Sequence, residues 1–504
     1  MVGHYLSQML HRALRERPDA VATVDGARSR TWREVDERAA HLADELTNLG
    51  VAPGDRVALL APNADDFVPT LFGVLRAGAV LVPLNTRWTV PEIAFALDDC
   101  AVRVLIAGQA FHPVAGSIRA AAPGLRHVLT WDAATADCTA IGNPPAGHGG
   151  SPGHLRHGDD LAMILYTGGT TGRPKGVMLS HRALLAYALC LAGAGESAPG
   201  ACMLHTAPLF HVGAISGFLA ATLNRSRHVF LPAFDPGEVI AAIIAHKVTD
   251  LFLVPTMLQA VLDHPAMDAG RMASVQRIYY GAAPMPLPLI ERALATLPGV
   301  GFVQGYGMTE AAGSLSLLAP SDHLSAGRLR SAGRAVMAID IRVVDPAGKE
   351  RLVGEAGEIV ARGEAVMTGY WNRPEETAEA LRDGWLHTGD VGFMDADGYV
   401  HVVDRIKDMI VTGGENVYSV EVENALASHP AVAQCAVVGR PDPRWGESVH
   451  AVVVLAEGAT ATPEELIGHC RTLIAAYKAP RSIAFRERMP LSAAGKILKA
   501  ALRA

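Results

Sequence analysis

Between residues 30 and 330 short apolar runs, RVALL, AVLVPL, VRVLIAG, DLFLVP and QRIYYG, recur between longer segments of helical period. Such a run without polar alternation has no water-facing side. It therefore suits a strand covered on both faces, and strands of that kind joined through helices form a parallel sheet. The fold class is α/β. At 504 residues the chain exceeds what one core usually holds, so more than one domain is expected.

Near residue 338 the period changes to two: Ile339, Ile341 and Val343 alternate with Ala338, Asp340 and Arg342, and DPAG then turns the chain. A second hairpin is expected at MDADGYVHVVD, with Asp397 and Gly398 in its turn. This region reads as a small antiparallel barrel or sheet. Beyond Asp404 lie two more strand segments, AQCAVVG and VHAVVVL, and a helix opening at TPEE. There Thr462 can cap, Pro463 suits the first helical position and Glu465 can reach back. A compact C-terminal domain follows. At the other end Tyr5, Leu6, Met9, Leu10, Ala13 and Leu14 share a helical face, which predicts a packed N-terminal helix and not a signal peptide. Asn143 to His154, NPPAGHGGSPGH, reads as a surface linker.

A net charge of -7 with 19% charged residues argues against a protein that coats nucleic acid and against a disordered one. The six cysteines lack a CxxC or metal-like spacing, which suits reduced thiols and a cytoplasmic location. No apolar run approaches the roughly 20 residues of a bilayer span, so no transmembrane segment is expected.

After the strand-like LAMIL comes YTGGTTGRPKG, Tyr166 to Gly176. Glycines let backbone N–H groups come close to a ligand, and the threonines add hydroxyls, so the loop suits phosphate oxygens; alone it could equally be a flexible hairpin tip. Two familiar phosphate loops fail on spacing. Lys175 follows proline and precedes glycine, unlike a Walker loop, and GYGMTE from Gly305 ends in Glu310 where a dinucleotide fingerprint needs glycine.

Taken with YGAAPMP (Tyr280 to Pro286), QGYGMTE (Gln304 to Glu310), WLHTGD (Trp385 to Asp390), DRIKDMIVTGGENV (Asp404 to Val417) and PLSAAGKILK (Pro490 to Lys499), the loop makes the chain resemble the adenylate-forming superfamily of acyl- and aryl-CoA synthetases, luciferase and peptide-synthetase adenylation domains. The resemblance runs from Thr31 to Lys499. It implies a large N-terminal domain, residues 1–403, of two α/β-layered subdomains plus a small β-barrel, a hinge at 404–407, and a small mobile α+β C-terminal domain, residues 408–504. The implied reaction joins a carboxylate to the α-phosphate of ATP, releases pyrophosphate, and lets the thiol of coenzyme A displace AMP.

The resemblance also implies roles. Thr167, Gly169, Thr170, Thr171 and Gly172 would embrace the β and γ phosphates, with Gly168 standing where many relatives have serine. Thr309 would bond the α-phosphate and Glu310 would hold Mg²⁺. Gly281, Ala282 and Ala283 form the adenine shelf, with Tyr306 stacking on the base beside Gly307. Asp390 and Arg405 would hold the ribose, and His211 would position the substrate carboxylate. Lys496 would bind carboxylate and phosphate during adenylation, although Ala493 and Ala494 replace the hydroxyl residues of many relatives. Lys407 matches the hinge. Gly413 and Gly414 would border the pantetheine channel, with Trp445 and Arg481 near the CoA nucleotide. Lys175 is either a phosphate partner or a solvated loop lysine.

The acyl pocket is expected from Val212, Gly213, Ala214, Ile215, Val254, Tyr279, Ala311 and Ala312, all uncharged, which favours a hydrophobic fatty or aromatic acid. Partners are then small molecules, the acid, ATP and CoA, with no nucleic acid; a homodimer is left open. Loading of a separate carrier protein, luciferase-like oxidation and a nucleotide-binding regulator without turnover are the alternatives, the last disfavoured by the presence of Lys496 and Glu310.

Overall fold

The computed structural model describes residues 5–145, 147, 156–167, 174–194, 200–412, 415–492 and 495–503. Four sheets organise these residues. The apolar runs become central strands: Arg56–Leu60 lies between Val80–Pro83 and Val104–Ala107, parallel to both. Every residue of Val80–Pro83 and of Val104–Ala107 is buried, which is why their sequence shows no alternation. This eight-stranded sheet ends in the antiparallel pair Leu161–Thr167 and Lys175–Ser180 with the short strand Gly369–Tyr370 outside it.

A nine-stranded sheet runs parallel from Val21–Asp25 through Arg227–Phe230, Cys202–His205, Asp250–Leu253 and Arg277–Gly281 to Gly301–Met308. Gly313–Leu318 then returns antiparallel. Helices Trp32–Asn48, Phe67–Arg76, His181–Ala194 and Val212–Leu223 pack between the two large sheets, where Trp32, Phe72 and Phe218 are fully buried. Val90–Asp99 and His112–Ala121 cover one outer face, and Pro236–His246, Pro255–Asp263 and Leu287–Thr296 cover the other. Five layers result. The entry to Trp32–Asn48 is fixed by Thr31, whose hydroxyl accepts from Glu34 N at 3.2 Å while Glu34 Oε2 accepts from Thr31 N at 2.7 Å, a cap worth about 1 kcal/mol.

The period-two segment is the strand Ile339–Val344, with Ile339, Ile341 and Val343 buried and Asp340 and Arg342 exposed. It pairs with Gly357–Gly363, which pairs with Trp385–Met394; that strand carries both Leu381–Arg382 and Val400–Arg405 on its other edge. Gly398, at φ +79°, makes the hairpin turn. The pairings among these described strands form an open sheet and do not close a barrel.

The fourth sheet combines Ile410–Thr412, Glu415–Val417, Val432–Asp442, Gly446–Leu455 and Ser482–Phe485 over its own core with helices Ser419–Ala427 and Pro463–Leu473. Thr462 and Glu465 form the expected capping box. The segment 404–407 falls where Val400–Arg405 ends, one strand before this sheet begins. At the N-terminus the helix is Gln8–Glu16, burying Met9, Leu10 and Ala13. Most of the expected linker at 143–154 lies outside the described residues.

Candidate active site

The C-terminal ends of Arg277–Gly281 and Gly301–Met308 open onto a cavity of about 110 Å³, the end of a parallel sheet at which ligands commonly bind. Side chains are kept out of the way there. A Cβ on Gly281 would lie 2.2 Å from Gly305 O, and one on Gly307 would lie 2.1 Å from Gly313 O, so only glycine lets these backbones meet. Ala282, in the left-handed region at φ +65°, lines the cavity together with Gly307 and Thr309. Ala283 follows it, half-buried.

Two buried carboxylates flank this opening. Cross-strand pairing sets Asp390 opposite Arg405, and Arg405 Nε donates to Asp390 Oδ1 at 3.0 Å. The Tyr306 hydroxyl donates to Asp390 Oδ2 at 2.8 Å. Burial raises the Asp390 pKa, against the opposing pull of Arg405 and of the Tyr306 hydrogen bond. Burial and the adjacent carboxylate push the Tyr306 phenol well above its ordinary value, which keeps it a donor. Glu310 sits in the 3₁₀ turn Thr309–Ala311, where its Oε1 accepts from the Tyr370 hydroxyl and its carbonyl accepts from Met367 N, both at 2.8 Å.

His211 precedes the helix Val212–Leu223, and its carbonyl accepts from the N–H groups of Ala214 and Ile215, each at 3.1 Å. Its Nε2 is shut off from solvent and unpartnered among the described residues. Burial, reinforced by the Lys496 and Arg87 cations, lowers the ring's pKa to about 4. The ring is neutral near pH 7, with one N–H to offer.

Lys496 arrives from the far end of the chain on a tight turn. Ser492 N donates to Lys496 O at 2.7 Å and Gly495 N to Ser492 O at 3.0 Å, with Gly495 at φ +76°, a conformation that glycine adopts without strain. Thr256 Oγ1 holds Gly495 O at 3.1 Å, and Arg87 Nη1 holds Ser492 O at 3.3 Å. Lys496 keeps part of its surface exposed yet lines the cavity. Desolvation and the Arg405 cation lower its pKa, while Asp390 and Glu310 pull the other way.

Of the expected acyl residues, Val212, Gly213 and Tyr279 line the cavity. Ala214, Ile215, Ala311 and Ala312 are buried behind it and contribute no lining, because they face the packing between helix and sheet. Val254 serves the lysine turn instead: a Cβ on Gly495 would lie 3.1 Å from its Cγ2. The sequence reading missed Tyr187, Met203, Ser216, Phe252 and Ser314, which also line the cavity. Phe252 is the half-buried residue of the strand Asp250–Leu253, and nothing in the run DLFLVP sets it apart. A Cβ on Gly213 would stand 3.3 Å from its Cζ, so Gly213 and Phe252 share one wall.

Thr167 ends its strand, with its hydroxyl 3.5 Å from Lys175 O. Gly168, Gly169, Thr170, Thr171 and Gly172 lie outside the described residues, as do Gly413, Gly414, Ala493 and Ala494. Lys175 is not a solvated lysine, since it pairs with Glu376 and stands 5.2 Å over the Tyr370 ring. Lys407 is exposed, and desolvation and Arg405 lower its pKa. The Arg481 guanidinium stacks on the Trp445 ring at 4.5 Å, with Arg444 at 4.7 Å.

Glycine-cleared backbone, a delivered cation and an apolar cavity sharing one mouth suit an enzyme that brings a nucleotide against an organic acid. Comparison with known proteins specifies the class: residues 10–371 match the AMP-binding enzymes and residues 421–496 match the AMP-binding enzyme C-terminal domain. The chain belongs to this adenylate-forming family, on its acyl- and aryl-CoA synthetase branch. It is 44% identical to a feruloyl-CoA synthase of an Amycolatopsis species, over 98% of this chain and 97% of that one. It is 37% identical to the long-chain-fatty-acid–CoA ligase FadD13 of Mycobacterium tuberculosis, over 94% and 92% of the two chains. The structure of the anthranilate CoA ligase AuaEII in complex with anthranoyl-AMP matches with a TM-score of 0.90 at 29% identity, covering 100% of this chain and 97% of that one.

Proposed function

We propose a division of labour for this ATP-dependent carboxylate–CoA ligase, an AMP-forming acyl-CoA synthetase, whose acid is a hydrophobic aromatic or fatty one. A carboxylate oxygen of the acid attacks the α-phosphorus of ATP, and the bond to the β-phosphate oxygen breaks, releasing pyrophosphate. In the second half-reaction the sulfur of CoA attacks the acyl carbon, its proton is lost, and AMP leaves. AMP is a far better leaving group than the oxide a free carboxylate would have to expel.

The observation that carries this reading is the convergence of Lys496, Thr309 and Ala282 on one cavity, with Lys496 in the field of Glu310, Asp390 and Arg405. Attack of one anion on another needs positive charge at the reacting oxygens. Lys496 would supply it to carboxylate and α-phosphate, and Thr309 would donate to the α-phosphate. The neutral His211 would give its N–H to the acid's other oxygen. Asp390 and Arg405 would hold the ribose, with Tyr306 against the base on the shelf Gly281, Ala282 and Ala283, and the loop from Thr167 through Gly172 would take the outer phosphates.

Glu310 fits Mg²⁺, because it is a buried hard-oxygen donor held in place by the Tyr370 hydroxyl on its Oε1, and it would hold the ion. Bound there, Mg²⁺ would supply charge neutralisation at the phosphates. Lys407 would be the pivot on which residues 408–504 swing to expose the thiol entrance beside Gly413 and Gly414. The stacked Trp445 and Arg481 favour the adenine and phosphates of CoA as acceptor, over a carrier protein.

The test is purified protein with ATP, Mg²⁺ and CoA against fatty, benzoic and cinnamic acids, read by mass spectrometry of the thioesters, with a phosphopantetheinylated carrier protein in place of CoA as the parallel arm. Thioester on CoA is expected. No AMP release with any acid would defeat the reading.

A further inference from the structure

A chain that leaves a strand gives up the ladder that held its backbone, and the polar groups of the next residues need other partners when they are buried. Residues 206–211 make such an exit, from the strand Cys202–His205 to the helix Val212–Leu223. One side chain supplies three of the bonds. Asn63 Nδ2 donates to Ala207 O at 2.9 Å and to His205 O at 3.3 Å, and Asn63 Oδ1 accepts from Leu209 N at 2.9 Å. Asn63 is buried. It follows the strand Arg56–Leu60 of the eight-stranded sheet, whereas Cys202–His205 belongs to the nine-stranded one. Its carboxamide therefore bridges the two large sheets just beyond the C-terminal end of a strand in each.

The loop that carries Asn63 is itself pinned. Asp65 accepts from Arg28 Nε at 3.2 Å and from Arg30, and Asp66 accepts from Arg38 at 2.9 Å. Phe67 meets Phe218 of the helix after His211 edge to face, with 5.4 Å between ring centroids. On the other side the path to His211 is short, since Pro208 O accepts from His211 N at 3.1 Å. No hydrogen bond among the described residues fixes His211 Nε2. Its direction comes from the backbone beneath it and from the Phe210 ring, 4.5 Å away.

We propose that Asn63 is a positioning residue for acid activation: it fixes the 205–209 turn, and through that turn the direction in which His211 presents its ring to the substrate carboxylate. The assignment rests on the role given to His211 above. Asn63 does not line the cavity, so it acts only through backbone. A carboxamide suits the place, because two carbonyls need donors while one N–H needs an acceptor, a set that an ionised aspartate or an aliphatic side chain cannot meet.

The experiment is a double-mutant cycle on the full chain: the unmodified protein, Asn63→Ala, His211→Ala and both together, read by pyrophosphate exchange with the best-used acid of the panel above. Asn63→Ala should lower kcat/KM for the acid about tenfold, as a small misplacement of a positioned group does, with the KM for ATP within about twofold. In the His211→Ala background the same change should lower it by less than about twofold, because the residue it steers is gone. Asn63→Asp keeps the acceptor for Leu209 N and loses both donors. It takes the place of Asn63→Ala if that variant does not fold, and should show the same non-additivity. An unchanged kcat/KM in the single variant, equal losses in both backgrounds, a parallel rise in the KM for ATP, or failure of both variants to fold would make Asn63 a residue of the fold only and overturn the assignment. A His211→Ala variant that handles the acid as the unmodified protein does would instead defeat the reading of His211.

Discussion

The Tyr306 hydroxyl donates to Asp390 Oδ2 at 2.8 Å, and the two residues belong to different sheets. One end of the bond is fixed by the parallel strands, the other by the antiparallel hairpin that leads to residues 404–407. Removing it in Tyr306→Phe takes a donor from a buried carboxylate, a loss of roughly 1.5–3 kcal/mol for a hydrogen bond to a charged group. The KM for ATP should rise about tenfold or more with kcat within about threefold. An unchanged KM accompanied by a lower melting temperature would assign the bond to stability only.

Lys496→Ala should lower acyl-adenylate formation by about 10²–10³-fold, the usual loss for one preorganised charge donor. Thioester formation from supplied acyl-adenylate should stay within about threefold, since the proposed swing of residues 408–504 would carry the lysine turn elsewhere for that step. Rapid-quench measurement of each half-reaction separates the two, and equal loss in both would contradict the proposed roles.

Arg481→Ala removes the cation stacked on Trp445. The KM for CoA should rise about five- to tenfold, as a lost cation–π and phosphate partner implies, while acid-dependent pyrophosphate exchange stays unchanged. A fall in exchange would place Arg481 in the first half-reaction.

Acid should destabilise the fold through His205 and His228, whose rings are joined by a 2.8 Å hydrogen bond in the core. Burial lowers His205 to about 3, and burial with the neighbouring ring lowers His228 well below the ordinary 6.5. Between pH 6.5 and about 3 the unfolded chain therefore binds more protons than the folded one, so stability falls as pH falls, by about 1.4 kcal/mol per pH unit for one such histidine. Melting temperature recorded from pH 7 to pH 4 should drop steeply, and less so in a His205→Leu, His228→Leu double variant. Parallel slopes would exclude the pair as the cause.

The sequence made the strands legible wherever burial was two-sided, as at Val80–Pro83, or strictly one-sided, as at Ile339–Val344. The cap at Thr462 was equally plain, because it acts within four residues. What stayed hidden was contact between distant segments. Tyr370 meets Glu310 across 60 positions and Lys175 meets Glu376, and neither pairing leaves a local period or motif. Met203 and Tyr187 looked like any core residue, since a wall between helix and sheet has the same apolar character whether it faces protein or an empty chamber. The choice between barrel and sheet stayed open for the same reason: alternation fixes the faces of a strand, not the partner of the last one.

Among the described residues Arg87, Thr256 and Gln259 of the body each donate a hydrogen bond to a backbone carbonyl of the lysine turn or its domain, those of Ser492, Gly495 and Ala433. Bonds to main chain ask nothing of the side chains opposite, and at about 0.5–1.5 kcal/mol apiece three of them add up to only a few multiples of thermal energy. In the proposed swing such an attachment would act as a low-tack adhesive, peeling and re-seating on the microsecond-to-millisecond scale of domain motions. Dwell time in the attached pose would then be set by whichever ligand the Lys496 ammonium grips.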